Sequence, residues 1–272
     1  MRLSISNIAW DVADDAAVAS MLASHGIDAI DVAPSKYFPD PAQASAAQIT
    51  SVRNHWAEQG IAIVGMQSLL FGTSGLNLFG PPEVQHAMLA HLAAVCRVAA
   101  GLGATRLVFG SPKNRDRGAL SAAEAVDVAQ PFFRELGDIA HSHGVVLCIE
   151  ANPQRYGANF ITGTEEAAQL VGLIDHPGIR MQLDIGTIAV NGECIDSLLA
   201  RHADLVGHVH LSEPDLLPFG DGALDHVQIG AALRHYLPNH VLTVEMLAGK
   251  GETALQSVER ALQCATRHYR PV

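Results

Sequence analysis

The chain repeats one unit from end to end: a short, apolar, β-branched run leads into a polar loop, and an alanine-rich amphipathic stretch follows. Eight such runs occur, in the order LSISNIAW, IDAIDVAP, IAIVGMQSL, TRLVFGSP, VVLCIEAN, IRMQLDIG, LVGHVHLS and HVLTVEML. Strands that alternate with helices form a parallel sheet, because each helix returns the chain to the edge at which the next strand starts. Eight units without a linker or a change in composition predict an α/β fold in which residues 1–272 form a single (β/α)8 TIM barrel.

Local signals along the repeat refine this prediction. The first strand is not followed by the glycine fingerprint that cradles a dinucleotide phosphate, which disfavours an open, doubly wound sheet. One long helical stretch has Ser121 and Glu124 in capping-box spacing and closes at Gly144. Pro131 lies inside that stretch and predicts a kink or a break there.

Charge and cysteine usage narrow the range of partners. The formal net charge of -11 argues against a nucleic-acid backbone as the main partner. The four cysteines are scattered and form no CxxC pair, as in a protein whose thiols stay reduced. No apolar run reaches the roughly 18 residues that a membrane span requires. We therefore expect a cytoplasmic protein that binds a small molecule and neither nucleic acid nor membrane; a homodimer is left open.

Four consecutive strands deliver residues that can bind a metal. Glu150 ends strand five, Asp184 ends strand six, His210 lies in strand seven and Glu245 ends strand eight. Side chains alternate between the faces of a strand, and the large apolar residues occupy the other face in each case. If the apolar face meets the helices, the polar face points into the barrel. Active sites of such barrels form at the C-terminal ends of the strands, so these four side chains should converge there.

Three carboxylates brought together in this way could not all stay ionised without a compensating cation, because burial and mutual repulsion would raise their pKa values. A single strand-end carboxylate can equally well cap a helix, but four candidate ligands on successive strands are hard to explain in that way. Three oxygen donors and one imidazole suit one divalent ion, Mn²⁺ foremost, while Mg²⁺, Co²⁺ or Zn²⁺ can also bind such a set. The sequence therefore predicts a metal centre at the barrel mouth.

The segments CIEAN, QLDIG, HVHLSEP and TVEM, in this order on strands five to eight, resemble the xylose isomerase-like sugar phosphate isomerase/epimerase family. The resemblance extends over the strand rhythm of essentially the whole chain. It implies that Glu150, Asp184, His210 and Glu245 bind one metal ion, and that the two glutamates are also the catalytic acid and base. It further implies a metal-dependent isomerase or epimerase whose substrate is a sugar, a sugar phosphate or a keto-polyol.

Proton transfer next to a carbonyl explains why this ligand set suits such reactions. A metal that chelates a hydroxy-ketone lowers the free energy of the enediolate formed when an adjacent C–H is deprotonated. A carboxylate on each face can then remove a proton from one side and return one on the other, which is epimerisation. Return to the neighbouring carbon gives isomerisation, and expulsion of a β-hydroxyl gives dehydration, as in an inosose-type dehydratase. The four ligands permit all three outcomes.

Two alternatives lie outside this chemistry. An endonuclease IV-like hydrolase would need several further histidines, and none stands at the ends of strands two to four. A non-catalytic metal- or sugar-binding barrel would keep the fold without exchanging substrate protons. Better-known members of the family place a histidine and an arginine where this chain has Thr187 and Leu216. These departures predict a divergent branch with its own substrate contacts.

Other polar residues beyond the strand ends are candidates for those contacts. The loop SPKNRDRG after strand four is basic in an otherwise acidic chain and suits an anionic sugar, although a solvated loop fits equally well. His208, one pleat below His210, and Thr187 are expected to support the ligands from behind. The candidate substrate contacts are Gln67, Lys113, Arg115, Asn152, Tyr156 and Glu213.

Overall fold

The computed structural model describes residues 1–270; residues 271–272 lie outside the described range. Eight strands form a closed barrel in chain order, and every neighbouring pair is parallel, including the last strand with the first. The (β/α)8 TIM barrel predicted from the sequence is therefore confirmed. The strands are β1 (Arg2–Ser6), β2 (Ala29–Val32), β3 (Ala62–Met66), β4 (Arg106–Phe109), β5 (Val146–Glu150), β6 (Ile179–Asp184), β7 (Val206–Ser212) and β8 (Val241–Glu245).

Helices separate the strands and surround the barrel. Over residues 1–270, no helix combines the length and the apolar character that crossing a membrane requires. The helices are α1 (Asp15–Ser24), α2 (Pro34–Tyr37), α3 (Ala46–Ala57), α4 (Pro82–Leu102), α5 (Ala122–Ser142), α6 (Thr164–Ile174), α7 (Ile185–Asn191), α8 (Ile195–His202), α9 (His226–Tyr236) and α10 (Ala254–Tyr269).

Helix α5 bears out the capping box and excludes the break at Pro131, one of the two outcomes that the proline predicts. The Ser121 hydroxyl accepts a hydrogen bond from the Glu124 amide, and the Glu124 carboxylate accepts one from the Ser121 amide, so the predicted capping box forms. The helix does not break at Pro131 but continues to Ser142. Phe132 and Phe133, directly after the proline, are buried in the core. The burial of these two side chains stabilises the helix and offsets the cost of the backbone hydrogen bond that the proline cannot donate.

The interior of the barrel is polar rather than apolar. TIM barrels usually fill this space with layers of branched apolar side chains. Here the buried interior includes Ser4, Asp31, Gln182, His208 and Thr243, while the apolar strand residues pack toward the helices. The polar faces predicted to point inward therefore do so.

Candidate metal centre and active site

The strand register brings the four predicted metal ligands together at the C-terminal mouth. Asp184 pairs with His210 across β6 and β7, and Glu150 and Glu245 end the strands on either side. One potential ligand atom from each of the four residues lies within 4.8 Å of all the others. Strands that are far apart in the sequence thus build a single compact donor set.

His210 shows that this donor set fits a metal ion. Its ring is buried, and Nδ1 lies 3.1 Å from Oε2 of Glu245 and 3.5 Å from Oε1 of Glu150. Neither ring nitrogen makes a hydrogen bond of acceptable geometry. Ligand atoms about 2.1 Å from an octahedral ion are separated by about 3 Å, which is close to the spacing around Nδ1. Oxygen donors with one unpartnered imidazole nitrogen suit a divalent ion.

Backbone and hydroxyl donors hold Asp184 in place. It caps α7, because Oδ1 accepts a hydrogen bond of 2.6 Å from the Thr187 amide, and Oδ2 accepts one from the Ser212 hydroxyl. The Thr187 hydroxyl in turn donates to the carbonyl of Ala151. Burial, with repulsion from the neighbouring glutamates, raises the pKa of Asp184 to about 7. A divalent cation would remove this tendency to bind a proton.

Glu245 and His210 interact as a charged pair. Burial by itself would lower the pKa of His210, but the carboxylates of Glu245 and Glu150 raise that pKa well above the usual value. Burial would likewise raise the pKa of Glu245, yet His210 and a hydrogen bond from Gln67 lower it overall. The Gln67 amide nitrogen lies 2.5 Å from Oε1 of Glu245. The predicted residue Gln67 therefore contacts the carboxylate directly.

Glu150 is held by an amide in a similar way. The Asn152 amide nitrogen lies 3.2 Å from Oε2 of Glu150, and Oδ1 of Asn152 accepts a hydrogen bond from Arg115. Arg115 is only 1 % exposed, and burial lowers its pKa to about 10 although Glu150 raises it. Arg115 does not line the pocket, so the structure places it behind Asn152 rather than at the pocket surface. On the other side, Gly110 leaves room for the carboxylate, since a Cβ there would lie 1.9 Å from Oε2.

A pocket of about 530 Å³ opens above this cluster. Its wall includes the predicted residues Lys113, Tyr156 and Gln67, and Leu69, Leu70 and Phe71 of the loop after β3 add apolar surface. Thr187 and Leu216, the two departures from the family pattern, also line it. Among the described residues that line the pocket, Lys113 is the only lysine or arginine.

Glu213 borders the pocket, but its carboxylate is turned away. The side chain is fully buried, and Oε1 accepts a hydrogen bond from the Gly220 amide and contacts Nε2 of His226 at 3.1 Å. Burial would lower the pKa of His226, but Cys264 and Glu213 raise it to about 9. The arrangement anchors the loop that follows β7 through Oε1 of Glu213, while Oε2 is buried without a hydrogen-bond partner.

Asp31 is a site residue that the strand-end rule does not find. It lies inside the barrel on β2, fully buried, and Oδ2 is 2.6 Å from Nε2 of His208. Strand alternation does contain the signal, because Asp31 shares a face with Ala29 while Ile30 and Val32 share the other. His208 lies below the metal ligands, as predicted.

A closed parallel barrel with a carboxylate–histidine cluster at its C-terminal mouth defines a class of (β/α)8 proteins. The xylose isomerase-like TIM barrel family matches residues 19–267, and the chain belongs to this family. A D-psicose 3-epimerase of Ruminiclostridium cellulolyticum is 25 % identical over 126 residues, which are 46 % of this chain and 43 % of that protein. The chain thus matches less than half the length of that curated relative.

Solved structures show the same fold over the whole chain. A D-psicose 3-epimerase with D-tagatose from Clostridium cellulolyticum H10 has a TM-score of 0.82 and 20 % identity, covering 99 % of this chain and 98 % of that one. The IolI protein with a bound zinc atom has a TM-score of 0.78 and 17 % identity, covering 99 % of this chain and 98 % of that one.

Proposed function

We propose that the protein is a divalent-metal-dependent sugar epimerase in which Glu150 and Glu245 transfer the proton. The observation that carries this proposal is the symmetry of the two glutamates about His210. Each turns one oxygen toward Nδ1 of His210, and each has its other oxygen held by a side-chain amide, from Asn152 or Gln67. The epimerase activity named for the similar proteins supports the same reaction class.

The amide contacts assign the two oxygens of each glutamate different tasks. In this proposal the oxygens facing His210 bind the metal together with Asp184 and His210, residues that form one compact donor set with the two glutamates. A bound divalent ion would stabilise the negative charge that develops on the substrate when the C–H next to its carbonyl is deprotonated. Glu245 lies within this donor set as a carboxylate and can accept that proton. Glu150 can return a proton from the other side, which inverts the carbon.

Arg115 supports Glu150 indirectly. Its guanidinium donates to Oδ1 of Asn152, and this contact orients the amide so that its nitrogen donates to Glu150. A carboxylate that moves protons needs a fixed position, because proton transfer requires hydrogen-bonding distance to the substrate. Arg115 is therefore a positioning residue in this proposal, in place of the substrate contact expected from its sequence alone.

The pocket wall favours an uncharged keto sugar or keto-polyol. A phosphate group carries a charge of about −1.5 to −2 and three strong acceptor oxygens. Against this, the wall offers the exposed side chain of Lys113, and the carboxylates of the metal centre oppose a further anion. The Tyr156 hydroxyl accepts from the Asp215 amide and can donate to a neutral sugar oxygen, whereas the Thr187 hydroxyl donates to Ala151 and can accept from a sugar hydroxyl.

Metal analysis and solvent exchange test this function. The purified protein should contain about one divalent ion per chain. It should also catalyse the incorporation of deuterium from D₂O into a keto sugar, at the carbon next to the carbonyl. Glu150→Gln and Glu245→Gln should each abolish exchange, whereas Glu135→Gln on the exposed face of α5 should not. Absence of metal from the wild type, or exchange unchanged in both site variants, would show the mechanism to be wrong. Loss of water from an inosose would instead assign a dehydratase.

A further inference from the structure

A second polar group lies directly beneath the metal ligands, inside the barrel. Asp31 of β2 and His208 of β7 are buried to 0 % and 2 % exposure, and Oδ2 of Asp31 is 2.6 Å from Nε2 of His208. We call these two residues the Asp31–His208 pair. The strands that carry them are not neighbours, so the contact crosses the barrel interior.

The surroundings are built to hold a carboxylate at this point. Gly65 of β3 faces Asp31, and a Cβ there would lie 2.5 Å from Oδ2, so any larger residue would displace the carboxylate. The Ser4 hydroxyl lies 3.5 Å from the other oxygen, Oδ1. The Thr243 hydroxyl lies 3.3 Å from Nε2 of His208. Since burial of a carboxylate is costly even beside a hydrogen-bonding partner, this arrangement needs a reason.

His210 provides that reason. Its Nε2 lies 4.0 Å from the same oxygen of Asp31 that contacts His208, while its Nδ1 faces the glutamates. The two ring nitrogens of His210 therefore point to different groups. When a neutral imidazole binds a metal through one nitrogen, the other carries the hydrogen and needs an acceptor. A movement of about 1 Å would bring Nε2 within hydrogen-bonding distance of Asp31.

We propose that Asp31 is the positioning residue of the metal centre: held by His208, its carboxylate accepts the Nε2 hydrogen of His210 and so presents Nδ1 to the metal. One carboxylate oxygen has lone pairs for both histidines. The proposal rests on the metal centre of the proposed function, but it concerns how that centre is held and does not depend on the reaction catalysed.

Metal affinity tests the role of the carboxylate. Asp31→Asn keeps the shape and removes the charge, and loss of such a supporting partner typically lowers metal affinity about 10- to 100-fold. Competition between the protein and a fluorescent chelator for Mn²⁺ should show a loss of this size. Ser4→Ala, which removes a contact to the far oxygen of the same carboxylate, should leave the affinity within about threefold of wild type. At saturating Mn²⁺ the kcat of the Asp31→Asn variant should return to most of the wild-type value.

A spectroscopic measurement on the wild type removes the dependence on any variant folding. Long-range ¹H–¹⁵N spectra of the Zn²⁺-loaded wild type should show His210 protonated at Nε2, with that proton shifted downfield as in a hydrogen bond to a carboxylate. Zinc bound through Nε2, or equal Mn²⁺ affinity in the wild type and Asp31→Asn, would overturn the proposal while leaving the proposed function intact. Two ions per chain, reduced to one in Asp31→Asn, would also overturn it and make Asp31, His208 and His210 a second metal site. A wild type that binds no metal would refute the proposed function itself.

Discussion

Replacing Gly110 by alanine should displace the Glu150 carboxylate and slow proton transfer. A Cβ atom at position 110 would lie 1.9 Å from Oε2 of Glu150, whereas real Cβ atoms essentially never come closer than 3.0 Å to such an atom, so the oxygen must move by about 1.1 Å. A misplacement of about 1 Å in a catalytic geometry can cost about 100-fold in rate. That factor corresponds to about 2.7 kcal/mol of transition-state stabilisation.

Exchange kinetics at saturating Mn²⁺ would measure this effect, and Mn²⁺ affinity should fall in parallel because Glu150 is also a proposed ligand. Gly172→Ala is a matched control. It replaces another glycine by alanine, but a Cβ at position 172 meets nothing within 4 Å and lies in α6. The control should exchange at the wild-type rate and gain up to about 1 kcal/mol in stability, since alanine favours helix. If Gly110→Ala keeps both the exchange rate and the Mn²⁺ affinity within threefold of wild type, Glu150 does not need the space that Gly110 leaves.

Three further outcomes are expected. Lys113→Gln should change KM for a neutral keto sugar by less than about threefold, since an exposed charge interacts weakly with an uncharged ligand; a larger rise would show that Lys113 contacts the sugar directly. Mn²⁺ at 100 times its Kd should raise the free energy of unfolding by about 2.7 kcal/mol and the melting temperature by about 5 °C, and no thermal shift would contradict a metal centre. The pKa of His226 is raised from 6.5 to about 9, so its stabilising effect is complete below pH 6.5 and lost as the pH rises through 9. Denaturant unfolding of His226→Gln at pH 6.5 and 9 should therefore show a smaller pH dependence than wild type, and an unchanged difference would remove His226 as its source.

The metal cluster is predictable from the sequence because barrel topology places strand ends together whatever the intervening helices do. Glu150, Asp184, His210 and Glu245 each follow or end an apolar run, and strand alternation assigns them to the inner face. Asp31 obeys the same alternation but lies below the strand tips, so attention to the tips alone overlooks it.

The burial of Arg115 is not predictable from the sequence pattern. Its loop carries three basic residues, and nothing in their spacing distinguishes the one that enters the interior. In the fold, Arg115 is buried and bonds Asn152, whereas Lys113 on the same loop lines the pocket. The path of an irregular loop decides this, and that path follows from contacts between segments distant in sequence, which periodicity does not describe.

The Asp31–His208 pair also has a consequence for how the barrel closes. A slip of one residue in the pairing of β2 or β7 would turn that strand's polar side chain outward to the helices, because side chains alternate with a period of two. Its partner would then remain buried inside without its hydrogen-bond partner, which is strongly unfavourable. Apolar side chains penalise such a slip less, since hydrophobic contact has no direction. The Asp31–His208 pair thus favours the correct register of β2 and β7. A barrel that closes out of register loses this contact, and it also misplaces the metal ligands that lie directly above.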